Sequence, residues 1–175
     1  MILSNADKAR RVELLILDID GVLTDGGLQF DNQGEEYKTF NSLDGHGIRM
    51  LLDSDIEVAV ITGRQSGIVK HRMGDLGVKH LFQGFRDKQI AFTQLLTDTG
   101  IEPANIAYIG DDLPDLPVMT RVGFAVAVQN AHAFVKQHCD WVTTASGGKG
   151  AVREVSDFIL QAKNLLHAKH AAYLE

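Results

Sequence analysis

The feature that most constrains the fold of this chain is an apolar run, Leu14–Leu17, that stops abruptly at two aspartates, Asp18 and Asp20. Four consecutive apolar residues are typical of a strand that is buried on both faces, as in a parallel sheet. Because side chains alternate along a strand, the two carboxylates leave it on the same side, and Gly21 then permits a sharp turn. Paired carboxylates are costly to bury without a cation or a proton. The pattern therefore favours a metal site at the carboxyl end of a central strand.

Strand-like and helix-like segments alternate along the chain, which predicts an α/β fold with a doubly wound, mostly parallel sheet and helices on both faces. The predicted strands are 12–17, 57–61, 80–82, 106–109 and 123–128, and the predicted helices are 47–53, 66–76, 88–99, 114–120, 131–138 and 151–166. The sequence contains no repeat, linker or low-complexity segment, so we expect one domain over residues 1–175 with a C-terminal tail at 167–175.

Composition narrows the class of protein. The formal net charge is −6, which disfavours general nucleic-acid binding. The first residues are polar and no apolar run approaches the roughly 20 residues of a membrane helix, so we expect neither a signal peptide nor membrane association. A single cysteine, Cys139, excludes an internal disulfide and suits a reducing cytoplasm.

One segment, residues 27–40, breaks the alternation of strands and helices. Two short apolar-polar stretches flank the turn residues Asn32-Gln33-Gly34, which predicts a protruding β-hairpin. Its apolar side chains have no obvious core to reach: Leu28, Phe30, Tyr37 and Phe40. Because an isolated two-stranded hairpin is only marginally stable, we expect it to pack against a partner subunit.

Polar residues follow the later predicted strands as well. Thr62-Gly63-Arg64 follows the second strand, and a hydroxyl with free backbone N–H groups at such a place can hold phosphate oxygens. Lys88 opens the helix after the third strand. The fourth strand ends in an acidic segment that contains Gly110, Asp111, Asp112 and Asp115. Each signal is weak alone, but the carboxyl ends of parallel strands share one edge of the sheet.

In this order and at these strand ends, the four motifs resemble those of the haloacid dehalogenase superfamily of phosphohydrolases, over residues 18 to 115. The resemblance implies that Asp18 is the nucleophile, which forms an aspartyl-phosphate, and that Asp20 is the general acid and later the general base. It implies that Thr62 and Lys88 bind the phosphoryl oxygens. It further implies a Mg²⁺ ion whose ligands come from Asp18, Asp20 (through its backbone carbonyl) and Asp111, supported by Asp112 or Asp115.

Neither residues 22–61 nor residues 89–110 leave room for the mobile cap domain of many superfamily members. The chain most resembles the capless 3-deoxy-D-manno-octulosonate 8-phosphate phosphatases, over nearly its whole length. That family acts in lipopolysaccharide biosynthesis and forms homotetramers in which hairpins make the central contact. The resemblance implies the same reaction and the same assembly here.

The resemblance also implies a set of substrate contacts, some of them from an adjacent subunit. These are Asn41, Ser42, Leu43, Asp44, Gly45, Arg49, Gly63, Arg64 and Arg72, together with Lys88. Several arginines suit a sugar phosphate that also carries a carboxylate. Members of the family often carry a basic residue at the position of Leu43, which leaves a nine-carbon keto-sugar acid 9-phosphate as an alternative substrate.

A phospho-receiver module of a signalling pathway is the non-enzyme alternative. Such modules also combine a doubly wound sheet with acidic residues, Thr, Lys and Mg²⁺. Their phosphorylated aspartate ends a middle strand, whereas here Ile61 is followed by Thr62. The sequence therefore favours the phosphatase.

Overall fold

The computed structural model describes residues 3–174, and its strands form one parallel sheet and one separate hairpin. In chain order the strands are β1 (Leu14–Leu17), β2 (Gln29–Phe30), β3 (Glu36–Tyr37), β4 (Glu57–Thr62), β5 (His80–Gln83), β6 (Ile106–Gly110), β7 (Phe124–Ala127) and β8 (Trp141–Val142). Six of them lie in the order β5-β4-β1-β6-β7-β8, while β2 and β3 pair in antiparallel fashion. All five pairings in the large sheet are parallel, as the sequence predicts.

Helices cover both faces of this sheet. In chain order they are α1 (Asn5–Arg11), α2 (Ser42–Leu52), α3 (Gly67–Leu76), α4 (Lys88–Thr99), α5 (Leu116–Met119), α6 (Ala133–Lys136), α7 (Ala151–Ala162) and α8 (Leu166–Ala171). Helix α2 packs against α3 and α7, and α1 against α7, while α4 packs against α5. The prediction of a doubly wound α/β fold is therefore confirmed.

Strand β1 occupies the centre of the sheet because its four apolar residues can be buried on both faces. It lies between β4 and β6, with Leu17 beside Val60 on one side and beside Ile109 on the other. All four side chains are fully buried in a single apolar cluster that runs through the described residues. This position places whatever follows Leu17 at the middle of the carboxyl edge of the sheet.

Several boundaries differ from the sequence prediction by one to five residues; α7, for example, ends at Ala162 rather than near residue 166. Helix α2 begins at Ser42 rather than at residue 47, because the Asn41 side chain accepts a hydrogen bond from the N–H of Leu43 (2.8 Å) and caps the helix. The predicted tail contains most of helix α8, whose residue Lys169 donates a hydrogen bond to the carbonyl of Asp53 (2.7 Å). Strand β8 was not predicted, since two residues carry no periodicity.

The hairpin between β1 and α2 is present, and its paired strands are only two residues each. Leu28, Phe30 and Tyr37 are about half exposed, as expected for an apolar face without a partner in its own chain. The expectation for Phe40 is wrong, because its side chain packs against the hydrophobic core. Within residues 3–174, no helix combines the length and the hydropathy needed to cross a membrane.

Candidate active site

The end of β1 delivers Asp18 and Asp20 to the carboxyl edge of the sheet. The N–H of Asp18 donates a hydrogen bond to the carbonyl of Ile109 (3.2 Å), which extends the pairing with β6 by one residue. Gly21 then turns the chain with φ = 94°, and a Cβ added there would lie 2.0 Å from Asp111 Oδ2. Glycine is therefore required at this turn both by its backbone angle and by the close approach of the Asp111 carboxylate.

The end of β6 brings three further carboxylates to the same place. Asp115 Oδ2 accepts hydrogen bonds from the N–H groups of Asp111 (2.9 Å) and Asp112 (3.2 Å), which folds the acidic segment back on itself. Carboxylate oxygens of Asp18, Asp111 and Asp115 lie within 4.8 Å of one another. Asp112 instead turns its Oδ1 to the N–H of Leu113 (2.8 Å) and caps the 3-10 turn Leu113–Asp115.

Lys88, the first residue of α4, inserts its ammonium group between these carboxylates. Its Nζ lies 2.8 Å from Asp18 Oδ1 and 2.6 Å from Asp115 Oδ1, and its side chain is 4% exposed. Tyr108 donates a hydrogen bond from its hydroxyl to the same Asp115 oxygen (2.7 Å). Asp115 is thus held by a cation, a phenol and two backbone N–H groups. Asp115 therefore orients Lys88 and the acidic segment. The spacing of the motifs alone did not reveal this role.

The electrostatics of this cluster call for a cation. Burial raises the pKa of Asp18 to about 7, and the Asp115 carboxylate adds to the rise while Lys88 opposes it. Burial, together with Asp18 and Asp115, raises the pKa of Asp111 to about 8. A hard divalent cation with oxygen ligands offsets such repulsion and suits carboxylate donors. The donor set therefore fits Mg²⁺, and the cluster of Asp18, Asp111 and Asp115 offers the carboxylate oxygens that could hold it.

A cavity of about 580 Å³ opens above this cluster. It is lined by Asp18, Asp20, Gly26, Leu28, Thr62, Gly63, Arg64, Arg86, Lys88, Asp111, Asp112, Pro114 and Asp115. The structure therefore brings together the four motifs that the sequence placed at strand ends. Arg86 was not predicted; it adds a third cationic side chain to the wall beside Arg64 and Lys88.

The hairpin places two charged side chains against Asp20 and Arg64, which line the cavity. Lys38 forms a short ion pair with Asp20 and a second one with Glu36 (3.1 Å). Arg64 lies 3.0 Å from Glu36 Oε1 and 3.7 Å from Asp20 Oδ2. Burial raises the pKa of Glu36, but its hydrogen bonds to neighbours that include Lys38 and Arg64 outweigh that effect and leave the pKa below its ordinary value. The sequence analysis did not assign Lys38 and Glu36, although alternation along the hairpin strand could have placed both on the inner side.

Residues 41–45 form helix caps and contacts with residues 148–153 of the same chain. Asn41 caps α2 and donates a hydrogen bond to the carbonyl of Gly148 (3.4 Å), and Leu43 is largely exposed. Asp44 is fully buried and accepts hydrogen bonds from the N–H groups of Gly150 (3.3 Å) and Arg153 (2.9 Å) at the start of α7. Burial raises the pKa of Asp44, and these hydrogen bonds oppose the rise. Asp44 therefore caps α7 within its own chain, and its assignment as a substrate contact stays a prediction.

Arg49 and Arg72 also lie outside the cavity of their own chain. Arg49 donates a hydrogen bond to the carbonyl of Leu76 (3.1 Å) and pairs with Asp53 (2.8 Å) at the far end of α2. Arg72 packs across Gly45, where an added Cβ would lie 2.3 Å from its Nη2. Arg49 thus caps the carboxyl end of α3, away from the edge that carries the aspartates. The assignment of Arg49 as a substrate contact, which the resemblance places in part on an adjacent subunit, stays a prediction.

The fold, the acidic cluster and the buried lysine together define a haloacid dehalogenase-like hydrolase, and the family model of that description matches residues 78–155. The chain is 54% identical to the 3-deoxy-D-manno-octulosonate 8-phosphate phosphatase KdsC of Escherichia coli K12, over 91% of this chain and 85% of that protein. It therefore belongs to the family of 3-deoxy-D-manno-octulosonate 8-phosphate phosphatases.

Solved structures agree with this assignment. The phosphatase of that name from Yersinia pestis superposes with a TM-score of 0.92 at 49% identity, covering 93% of this chain and 88% of that one. The phosphatase from Moraxella catarrhalis, solved with magnesium, phosphate and the sugar acid KDO, gives a TM-score of 0.94 at 41% identity and covers 97% of both chains. The family assignment excludes the phospho-receiver alternative.

Proposed function

We propose that this chain is a Mg²⁺-dependent phosphatase that hydrolyses 3-deoxy-D-manno-octulosonate 8-phosphate to the free sugar acid and phosphate, a step in lipopolysaccharide biosynthesis. The observation that carries the proposal is the buried contact of Asp18 Oδ1 with Lys88 Nζ (2.8 Å), beside Asp111 and in a cavity that Asp20 also lines. A phosphate dianion does not approach a bare carboxylate, so a nucleophilic aspartate needs cations around it. Lys88 is a cation of this kind, since its ammonium group lies beside the Asp18 carboxylate.

The first step transfers the phosphoryl group to the protein. An oxygen of the Asp18 carboxylate attacks phosphorus, the bond from phosphorus to the sugar oxygen breaks, and Asp20 donates a proton to that leaving oxygen. Thr62, which ends β4 at the cavity wall, binds phosphoryl oxygens together with Lys88. Bound magnesium supplies positive charge for the same phosphoryl oxygens.

The second step returns the enzyme to its starting state. Asp20 takes a proton from a water molecule, the water oxygen attacks phosphorus, and the bond to Asp18 breaks to release phosphate. Lys88 stays beside the Asp18 carboxylate throughout, because Asp115 and Tyr108 hold it from the opposite side. Asp20 therefore acts as the general acid in the first step and as the general base in the second.

The cationic wall of the cavity supports an acid sugar phosphate as substrate. The phosphate lies at Asp18 and Lys88, which leaves Arg64 and Arg86 for the carboxylate of the sugar acid. A charge-assisted hydrogen bond is worth about 1.5–3 kcal/mol, or roughly 10- to 150-fold in an equilibrium constant. The variant Arg64→Gln should therefore weaken turnover of the sugar acid phosphate more than that of p-nitrophenyl phosphate, which has no carboxylate.

A nine-carbon keto-sugar acid 9-phosphate is the second candidate substrate, because Leu43 offers no charge and its apolar side chain is 56% exposed. The discriminating experiment compares kcat/KM for the eight-carbon acid phosphate, the nine-carbon acid phosphate and a neutral hexose phosphate, each with Mg²⁺. We expect the eight-carbon compound to give the highest value. A higher value for either of the others would overturn the substrate assignment and leave the phosphatase assignment in place.

We further propose that the chain acts as one domain, in a cytoplasmic homotetramer built around the hairpin. The half-exposed side chains of Leu28, Phe30 and Tyr37 support the assembly, because a second copy can cover them and the open side of the cavity together. The single apolar cluster supports the one-domain proposal. The free thiol of Cys139 is compatible with a reducing compartment.

A further inference from the structure

Lys38 has no part in the two steps above, yet its ammonium group reaches the residue that moves both protons. We propose that Lys38 is a positioning residue that fixes the carboxylate of Asp20 and thereby makes proton transfer to the leaving group depend on the hairpin. The proposal rests on the proposed function, since it takes Asp20 as the acid of a phosphatase.

The hairpin directs Lys38 inward by simple strand alternation. From Glu35 to Phe40, odd-numbered side chains are exposed and even-numbered ones are partly buried. Tyr37 therefore faces outward, while Lys38 and Glu36 face inward and contact Asp20 and Arg64 in the cavity wall. The Lys38 side chain is only 2% exposed. An ammonium buried to this degree is costly unless it is paired, and both of its partners are carboxylates, those of Asp20 and Glu36.

Asp20 depends on Lys38 because the backbone does not hold its carboxylate. Asp115 accepts hydrogen bonds from two backbone N–H groups, whereas Asp20 Oδ1 is bound by Lys38, its one hydrogen-bond donor within residues 3–174. Arg64 Nε stands 3.7 Å from Oδ2, beyond hydrogen-bonding distance. Lys38 therefore occupies Oδ1, and Oδ2 accepts no hydrogen bond from the described residues and stays available for proton transfer.

Glu36 and Phe30 connect the rest of the hairpin to Lys38 and Arg64. Glu36 Oε1 pairs with Lys38 (3.1 Å) and with Arg64 (3.0 Å), and the Arg64 guanidinium lies 5.7 Å from the centre of the Phe30 ring. The network thus joins two carboxyl groups, those of Asp20 and Glu36, to two cationic side chains, Lys38 and Arg64. A shift of the hairpin moves Lys38 and Glu36 together, and with them the oxygen that transfers the proton.

The leaving group of the substrate distinguishes this role from a structural one. A sugar alkoxide needs a proton as it departs, whereas p-nitrophenolate spreads its charge into the ring and departs without one. Loss of a well-placed general acid therefore slows alkyl phosphates far more than p-nitrophenyl phosphate, by up to about 10²–10⁴-fold when the acid is lost entirely. A distorted or poorly folded site slows both classes of substrate alike.

The experiment measures kcat and KM of Lys38→Met and Lys38→Arg with three substrates: the sugar acid 8-phosphate, phenyl phosphate and p-nitrophenyl phosphate. For Lys38→Met we expect kcat to fall roughly 30-fold or more with the first two and at most about 3-fold with the third, because a displaced acid costs rate only where a proton is required. KM for the sugar phosphate should change less than about 3-fold, since Lys38 holds Asp20 rather than substrate. Lys38→Arg, which keeps a donor, should recover most of the lost rate.

Two controls keep the result interpretable. Lys8→Met removes another lysine ion pair, with Asp140 at 2.5 Å and far from the cavity, and should leave all three rates unchanged. The double variant Glu36→Gln with Lys38→Met removes one charge of each sign, and it replaces Lys38→Met if the unpaired Glu36 prevents folding. An equal loss with all three substrates, or a rise in KM with kcat unchanged, would overturn the proposal. If the wild type failed with the sugar acid phosphate, the substrate assignment would fall, and the two aryl phosphates would still test Lys38.

Discussion

The acidic edge of the sheet and the hairpin beside it form one cavity, but they are built in opposite ways. At the sheet edge, Asp18, Lys88 and Asp115 are buried and bonded to one another within the chain. In the hairpin, the paired strands are two residues long, and large apolar side chains such as Tyr37 (52% exposed) face outward. The first region forms its contacts within the chain, whereas the second leaves an apolar face exposed.

This difference separates two kinds of contribution to catalysis. In the proposed mechanism the sheet edge supplies the nucleophile and the charges around phosphorus, so damage there should remove the reaction itself. The hairpin supplies Lys38 and Glu36, which act through Asp20 and Arg64, so damage there should lower the rate in proportion to how far those groups move. Four changes test this division, from the most severe to the mildest.

Asp18→Asn should abolish turnover, because it removes the nucleophile and a negative charge that metal binding requires. We expect the release of phosphate to fall by at least about 10⁴-fold, the scale seen when a covalent nucleophile is deleted. The fold should be retained, since the amide has nearly the same size, and circular dichroism should match the wild type. Wild-type rates from this variant, or from enzyme freed of metal by EDTA, would contradict the mechanism.

Tyr37→Asp should act on assembly and only indirectly on chemistry. A charge placed on the outward face of the hairpin disfavours an apolar contact between subunits, so light scattering should report a smaller species than the tetramer we propose for the wild type. We expect kcat/KM to fall roughly 10-fold, because the inward-facing Lys38 loses support but the sheet edge is untouched. Phe134→Asp is the matched control, since Phe134 is a half-exposed aromatic residue on α6. Wild-type mass for Tyr37→Asp would argue against a hairpin-centred assembly.

Metal-free protein should lose stability as the pH rises. The pKa values of Asp18 (about 7) and Asp111 (about 8) lie above the ordinary aspartate value of 3.8. Between about pH 4 and pH 8 the folded protein therefore binds more protons than the unfolded chain, and the free energy of unfolding falls with increasing pH. In EDTA we expect Tm to drop by at least about 4 °C from pH 5.5 to pH 8.5, at about 2–4 °C per kcal/mol for a chain of this size.

Added Mg²⁺ should cancel most of that drop, since it binds the ionised carboxylates of the folded state. Asp18→Asn supplies the comparison, because with one acid removed the metal-free Tm should vary less with pH. A metal-free wild-type Tm that is flat or rising over this range would show that the cluster is not under electrostatic strain.

Arg49→Gln should have the smallest effect. Arg49 pairs with the exposed Asp53 and with the carbonyl of Leu76 at the end of the molecule away from the cavity. Surface ion pairs of this kind contribute about 0–1 kcal/mol to stability, so Tm should move by no more than about 3 °C. Steady-state rates should stay within about 2-fold of the wild type. A loss comparable to that of Arg64→Gln would mean that Arg49 reaches substrate in another subunit.

The sequence predicted the sheet edge well because each of its parts is a local pattern. A short apolar run that ends in Asp18 specifies both a buried strand and a carboxylate at its end, and the same holds for the strand before Asp111. The parallel sheet then brings these ends together, so no long-range contact had to be predicted individually. Lys88 was found in the same way, as the first residue of a helix that follows a strand.

The roles of Asp44, Arg49 and Lys38 could not be predicted, because they depend on contacts between distant segments. Asp44 caps α7 more than a hundred residues later in the chain, and Arg49 caps α3. Lys38 meets Asp20 only because the hairpin folds back over the end of β1. A motif gives the type of residue at a position, but it does not say which of several polar groups that side chain will reach.

The position of β1 between β4 and β6 also has a consequence for how the chain is made on the ribosome. β1 leaves the ribosome first among the strands of the large sheet, yet both of its edges stay unpaired until β4 and then β6 have been synthesised. Until β6 arrives, the N–H of Asp18 lacks its acceptor on Ile109, and a fully apolar strand with open edges is exposed to aggregation or to chaperones. A chain that terminated early, before β6, would carry Asp18 but neither Asp111 nor Asp115, so it would lack most of the acidic cluster proposed to hold the cation. Affinity for a divalent cation would therefore distinguish finished molecules from truncated ones before any substrate is added.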